Sequence, residues 1–355
     1  MKRILVVALA VLAFGFAHFF PVTPAALAAQ KDAGEVVVYN WSEYIPQDVL
    51  DDFTKETGIK VVYSTYESNE SMYAKVKVLR GKSYDIVVPS TYFIDLMIKD
   101  GLLRKLDHSR IKGFENIDPK LLDQAYDPGN GYSIPYMWGS MGIMINTNYV
   151  KPGSVTKWSD LLKPEFKGKV MLSDDARDTM GAALKAVGKS ANSTDPADIE
   201  AAYDFLIKLR GSVRVFDITA SKQAFVGEEV TVGTSWNGDA LVAQEENEAL
   251  EYIYPEEGAI LWVDSFAITS GAANVDNAYA FISYMLRPEV ALRCMEEYQY
   301  STPNLGALKL LDEEQLNNRT LNPTEEDLNN SETLIGVGQA QTIYDRYWER
   351  LKAIR

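Results

Sequence analysis

The chain contains a single cysteine, Cys294, so no disulfide can form within it. Cys294 falls in an apolar-periodic helical stretch and reads as a buried structural thiol. Histidine is scarce too, with only His18 and His108. A His-rich metal site is therefore excluded. A Ser-His-Asp triad has only His108 to draw on, because His18 lies in the apolar leader, and no nucleophile-elbow sequence accompanies it. His108, between Leu106-Asp107 and Ser109-Arg110, reads as a solvated loop residue. Glycine-rich phosphate loops are missing, and nothing in the chain is patterned to bind ATP. Beyond the leader, no run is long and apolar enough to cross a bilayer.

The leader has the pattern of a secretory signal peptide, assigned to residues 1–28. Met1-Lys2-Arg3 opens it with charge, residues 4–20 are almost entirely apolar, and Ala26-Leu27-Ala28 is a small-residue cleavage pattern. Pro21 and Pro24 interrupt the segment and argue against an uncleaved anchor. No cysteine near the cut offers a site for lipid attachment. The remainder, about 330 residues, is enough for roughly two domains. Loss of Lys2 and Arg3 takes the formal charge of −15 two units further negative. Such a surface disfavours nucleic acid and anionic membranes and favours cations.

What is present begins with Val36-Val37-Val38, a β-branched run suited to a parallel strand covered on both faces. It leads into Trp41, Ser42, Glu43 and Tyr44, a loop predicted at the carboxyl end of that strand, where open α/β sheets bind ligands. Strand 36–39, helix 47–57 stopped by Gly58, strand 59–66, a helix capped by Ser68-Asn69-Glu70, strand 84–89 and a helix to Gly101 follow. This βαβαβα order predicts a doubly wound α/β domain with Ser90-Thr91-Tyr92 on the same rim as the first loop. Near residues 132–146 the texture changes. Two short strands, 134–139 and 141–145, meet at a Pro/Gly bend and suggest a crossing into a second domain. Strand 169–172, helices 176–187 and 195–209, and strands 213–216, 230–234 and 252–254 would build that domain. Strand 259–268 reads as the return crossing. A helix over 278–298, broken at Arg287-Pro288, and an amphipathic helix at 338–351 complete the chain.

The candidate site residues are carboxylates and aromatics. Glu43 stands between Trp41 and Tyr44. Asp174 and Asp175 precede a helix, where one of them serves as N-cap. Asp178 lies one turn on, with Arg177 between as a possible neutralising partner. Trp236 ends a strand. Trp262 and Asp264 share one face of a strand by period-two spacing. An inward aspartate there needs a cation or several donors. Tyr92 and Tyr300 lie at turns. No obvious basic group stands among these candidates. Aromatic faces attract ammonium groups, and carboxylates make charge-assisted hydrogen bonds to N–H donors, so the set suits an organic cation with an apolar body.

With these residues in view, the chain resembles the periplasmic spermidine/putrescine-binding proteins of ABC importers over essentially its whole mature length. The resemblance is carried by Tyr39-Asn40-Trp41-Ser42-Glu43-Tyr44, Thr54-Lys55-Glu56-Thr57-Gly58-Ile59, Tyr63-Ser64-Thr65-Tyr66-Glu67-Ser68-Asn69-Glu70 and Val88-Pro89-Ser90-Thr91-Tyr92. Further on, Tyr132-Ser133-Ile134-Pro135-Tyr136, Trp262-Val263-Asp264-Ser265 and Thr302-Pro303-Asn304 continue it. It implies a two-lobed type II periplasmic binding fold, two doubly wound α/β domains joined by hinge strands. One lobe would comprise 33–139 and 264–308, the other 140–263 and 309–355. It implies an aromatic box of Trp41, Tyr44, Tyr92, Trp236, Trp262 and Tyr300. Glu43, Asp175 and Asp264 would take ammonium groups, with Ser42 and Ser90 as polar lining. Asp178 stands where the spermidine-type receptor has Glu, and an ungapped count places Leu334 where it has Gln. The resemblance further implies a polyamine ligand, a membrane permease as partner, a monomer in the periplasm, no cofactor and no catalytic residue. Two other readings stay open: a binding protein for a guanidino or quaternary amine, and a secreted carbohydrate-active enzyme using two carboxylates and stacking aromatics.

Overall fold

A computed structural model of the chain describes residues 33–217 and 220–354; the signal segment and its cleavage point lie outside them. The chain starts with β1 (Glu35–Trp41), α1 (Gln47–Thr57) and β2 (Lys60–Tyr66), then α2 (Asn69–Leu79), β3 (Ile86–Val87) and α3 (Thr91–Lys99). Local signals explain these bounds. Val49, Leu50 and Phe53 form the buried face of α1, and Gly58 ends it at φ 74, its N–H donating to Thr54 O. Ser68 caps α2 by accepting from the Ser71 N–H. Strand β3 is shorter than the predicted 84–89. Beyond Val87, the Val88 carbonyl accepts from Trp41 Nε1 at 3.0 Å and Tyr66 OH at 2.6 Å. Pro89 then has no N–H to give a ladder.

Next come β4 (Ile134–Asn146), β5 (Val170–Leu172), α4 (Ala176–Ala186), α5 (Pro196–Arg210) and β6 (Val213–Phe216). They are followed by α6 (Ser221–Val226), β7 (Val232–Trp236), α7 (Asn237–Glu246), β8 (Leu250–Ile253) and β9 (Ile260–Ile268). Where two strands with a bend were predicted, β4 is one continuous strand of 13 residues. Its irregularity sits between Pro135 and Met137, while Gly139 and Ser140 remain in register with β9. The Ser140 N–H adds a hydrogen bond to Asn237 Oδ1 at 3.0 Å. The chain closes with α8 (Val275–Met285), α9 (Pro288–Tyr298), α10 (Leu305–Leu308), α11 (Glu313–Asn317), β10 (Glu332–Thr333) and α12 (Gln341–Lys352). Pro288 opens α9 at a position where its missing N–H costs nothing.

The strands run in the order β2-β1-β3-β9-β4-β7-β5-β6, with β10 on β9 and β8 on β4. The order contains the same unit twice. β2-β1-β3 is parallel and gains antiparallel β9 on the β3 side; β6-β5-β7 is parallel and gains antiparallel β4 on the β7 side. β9 and β4 then pair with each other from Ile134↔Phe266 to Met141↔Ile260. The two long antiparallel strands therefore carry the chain between two α/β halves. Each half has its own apolar core. Val36, Val38, Phe53, Ile86, Phe266, Phe281 and Cys294 pack in one. Ile143, Val170, Leu184, Leu206, Leu334 and Trp348 pack in the other. Burial pushes the Cys294 thiol up to about 12. His108 is half-buried rather than solvated, because its Nε2 pairs with Asn130 O at 2.7 Å and its ring lies 4.6 Å from that of Phe114. Among the described residues no helix is long and apolar enough to cross a membrane.

Candidate functional site

The repeated unit decides where a site forms. In the first half, the carboxyl ends of β1 and β3 deliver Trp41–Tyr44 and Ser90–Tyr92; in the second, β5 and β7 deliver Asp175 and Trp236. These ends meet around one cavity of about 830 Å³. Strand β9 crosses its floor with Trp262 and Asp264. All twelve predicted residues line this cavity: Trp41, Ser42, Glu43, Tyr44, Ser90, Tyr92, Asp175, Asp178, Trp236, Trp262, Asp264 and Tyr300.

Asp264 is 4% exposed. Its two oxygens accept from Tyr44 OH at 2.7 Å and Ser90 Oγ at 2.5 Å. Hydrogen bonds to a charged group contribute about 1.5–3 kcal/mol each. Removing a carboxylate from water costs several kcal/mol, so two hydroxyls do not fully offset it. Burial accordingly pushes the Asp264 carboxyl up to about 7 despite both donors. Ser90 is held in turn by Asn69, whose amide donates to Ser90 Oγ at 3.0 Å and to Tyr92 OH at 2.9 Å.

A second acidic cluster begins α4. Asp175 is its N-cap and accepts from the Asp178 N–H at 2.9 Å. Asp178 is 5% exposed, and its Oδ2 accepts from Trp236 Nε1 at 2.6 Å. Burial, then the neighbouring Asp175 charge, raises the Asp178 carboxyl well above its usual range; burial likewise raises Asp175. Asp174 does not join them, since it pairs with Lys352 of α12 at 3.1 Å. Arg177 does not form an ion pair with either acid. It is 1% exposed, donates to Asn192 Oδ1 and Ile335 O at 3.1 Å, and lies 4.6 Å over the Tyr344 ring. Its charge still acts through space to lower both acids.

The aromatics wall the space between. The Trp262 and Tyr300 rings meet edge to face at 5.2 Å, and Tyr44 lies 5.9 Å from Tyr300. Two glycines make room for these rings. A Cβ on Gly139 would meet Trp262 Cζ2 at 2.5 Å, and one on Gly238 would meet Tyr300 Cε1 at 2.5 Å.

At the other end Glu43 is exposed, in the left-handed region at φ 50. Facing it are groups that sequence reasoning missed. Asp239, in the first turn of α7, accepts from Tyr300 OH at 3.4 Å, and burial pushes its carboxyl up to about 6. Lys222 of α6 places Nζ 3.9 Å from Glu43 Oε2. The expectation of a site without a basic group is thereby corrected. Asp239 has a helix-start position that capping alone explains, and α6 is too short for a periodic signal. Leu334 is also corrected as a ligand-contacting position. Its side chain is wholly buried in the second core and its carbonyl accepts from Thr91 Oγ1 at 2.5 Å. Among the described residues, seven carboxylates line the cavity, with Glu67 and Glu297 joining Glu43, Asp175, Asp178, Asp239 and Asp264, against the single ammonium of Lys222. That balance attracts cations and repels anions. Among the described residues no group of His, Cys, Asp and Glu is placed to hold a metal ion.

A family model for bacterial extracellular solute-binding proteins matches residues 48–324. The chain belongs to that family. Among its relatives, this solute-binding protein is 47% identical over 328 residues to the spermidine/putrescine-binding periplasmic protein of Escherichia coli, covering 92% of this chain and 94% of that one. It is 42% identical over 335 residues to spermidine/putrescine-binding periplasmic protein 1 of Haemophilus influenzae, covering 94% and 92%. It superposes on the spermidine/putrescine ABC transporter substrate-binding protein of Streptococcus pneumoniae with a TM-score of 0.80 at 40% identity, covering 90% of this chain and 99% of that one. The fold of this solute-binding protein is the two-lobed type II periplasmic binding fold, two doubly wound α/β domains joined by hinge strands.

Proposed function

We propose that this protein captures a polyamine, a diamine or triamine of the putrescine or spermidine kind, between its lobes and delivers it to the permease of an ABC importer. The observation that carries this reading is Asp264: a buried carboxylate with two hydroxyl donors, no cation bonded to it among the described residues, and aromatic rings around it. An ammonium group supplies the missing charge, and the rings of Trp262, Tyr300 and Tyr44 cover the methylenes between ammonium groups. The acids at the two ends of the cavity, Asp175 with Asp178 and Glu43 with Asp239, suit a ligand charged at both ends. The relatives' names are spermidine/putrescine-binding proteins, which supports the same ligand class.

Residues 33–139 and 264–308 form one lobe in this reading, and 140–263 and 309–355 the other. The lobes close by bending at β4 and β9. The protein works as a monomer in the periplasm, exported by the leader and cleaved near Ala28. It binds and releases its ligand without turning it over, needs no cofactor, and contacts neither nucleic acid nor the bilayer interior. A set of displacement titrations tests ligand class. α,ω-Diamines and spermidine should compete for the site, whereas monoamines of equal length, choline and uncharged glycosides should not. Equal competition by choline, or turnover of a glycoside, would replace the polyamine reading.

A further inference from the structure

We propose that Lys222 sets the amine preference of the cleft by acting as a built-in cation at its Glu43–Asp239 end. The inference rests on the polyamine reading above. Lys222 is the second residue of α6 and belongs to the second half of the molecule, while Glu43 follows β1 in the first. Its side chain is 23% exposed and lines the same cavity as Glu43 and Asp239. The ammonium stands 3.9 Å from Glu43 Oε2, the outer limit of an ion pair, and its charge also acts on Asp239.

The two ends of the cavity are charged alike but built differently. Asp175 and Asp178 are backed by Arg177, whose guanidinium is buried, bonded to Asn192 and Ile335, and absent from the cavity wall. Glu43 and Asp239 are faced by Lys222, which is on the wall. A ligand ammonium reaching that end therefore competes with Lys222 for the same oxygens. With Lys222 in place, one of the acid charges at that end is already answered by the protein, so fewer are left for ligand ammonium groups. Repulsion from the Lys222 charge grows in proportion to the ligand charge brought near it. Lys222 thus penalises a triamine more than a diamine. A flexible four-carbon stem lets the ammonium shift without leaving the end uncompensated.

The test is calorimetric titration of the whole mature protein with putrescine and with spermidine at fixed ionic strength. Lys222→Gln keeps most of the stem and removes the charge. It should tighten spermidine by about tenfold more than putrescine, the scale of one partly screened charge. Lys222→Arg should keep the wild-type ratio of the two affinities. The double variant Lys222→Gln with Asp239→Asn restores the net charge of that end and should return the ratio towards wild type. An unchanged ratio in Lys222→Gln, or equal weakening of both amines, overturns the inference while leaving the polyamine reading standing. Absence of binding of either amine to the wild-type protein would instead overturn that reading, and this inference with it.

Discussion

At Asp264 the requirements of folding and binding oppose each other. Tyr44 and Ser90 hold the carboxylate, yet burial keeps its pKa near 7, up from an ordinary value of roughly 3.9. The fold without an amine thus retains a proton there that the unfolded chain has released. This contribution to stability is complete below about pH 4 and is lost as pH rises through 7. Binding has the opposite sign, since an ammonium needs the ionised form. Affinity should fall as pH drops below 7, approaching about tenfold per pH unit for each coupled proton. Calorimetry at pH 7 in two buffers of different ionisation enthalpy should register proton release on binding. Asp264→Asn should lower affinity by about 2–5 kcal/mol, the cost of removing one partner of a buried charge pair. At pH 8 the same variant, stripped of ligand, should melt at or above the wild-type temperature, because a poorly compensated buried charge is gone. Loss of binding together with a lower melting temperature would mean that Asp264 is chiefly structural. The period-two spacing of Trp262 and Asp264 was legible in the sequence because a strand fixes which face a side chain takes. Lys222 and Asp239 were not legible, because their meeting with Glu43 depends on how two halves of the chain approach.

Among the elements, β4 and β9 link the two halves and line the site together. Gly139 lies in β4 opposite Trp262 of β9, so the ring lies on bare backbone. Gly139→Ala should displace the Trp262 ring, cost about 1–3 kcal/mol of stability by overpacking, and weaken amine binding. Thermal melting and a binding titration on one sample check both effects; unchanged affinity would show that the Trp262 ring position does not matter. Most elements of the first half could be read from local signals such as Gly58 and Ser68, since caps and apolar faces act within a few residues. The shortened β3 could not. Its end is set by Trp41 and Tyr66 taking the Val88 carbonyl, contacts that span 47 and 22 residues of sequence. The bend predicted in β4 likewise disappeared, because pairing with β9 overrides the local preference of Gly139.

For the whole molecule, the twofold use of one parallel unit places four strand ends around one cavity, with the linking strands beneath it. A cleft with seven carboxylates should stay open through their mutual repulsion and close when an amine neutralises them. Small-angle scattering should therefore show a smaller radius of gyration with saturating spermidine than without. An unchanged radius would mean that the ligand enters without closure. The most direct measurement is isothermal titration of ligand-stripped protein with putrescine and with spermidine at pH 8. The account predicts saturable binding of one amine per chain, abolished or severely weakened in Asp264→Asn. No heat with either amine, or binding that Asp264→Asn leaves intact, would contradict it.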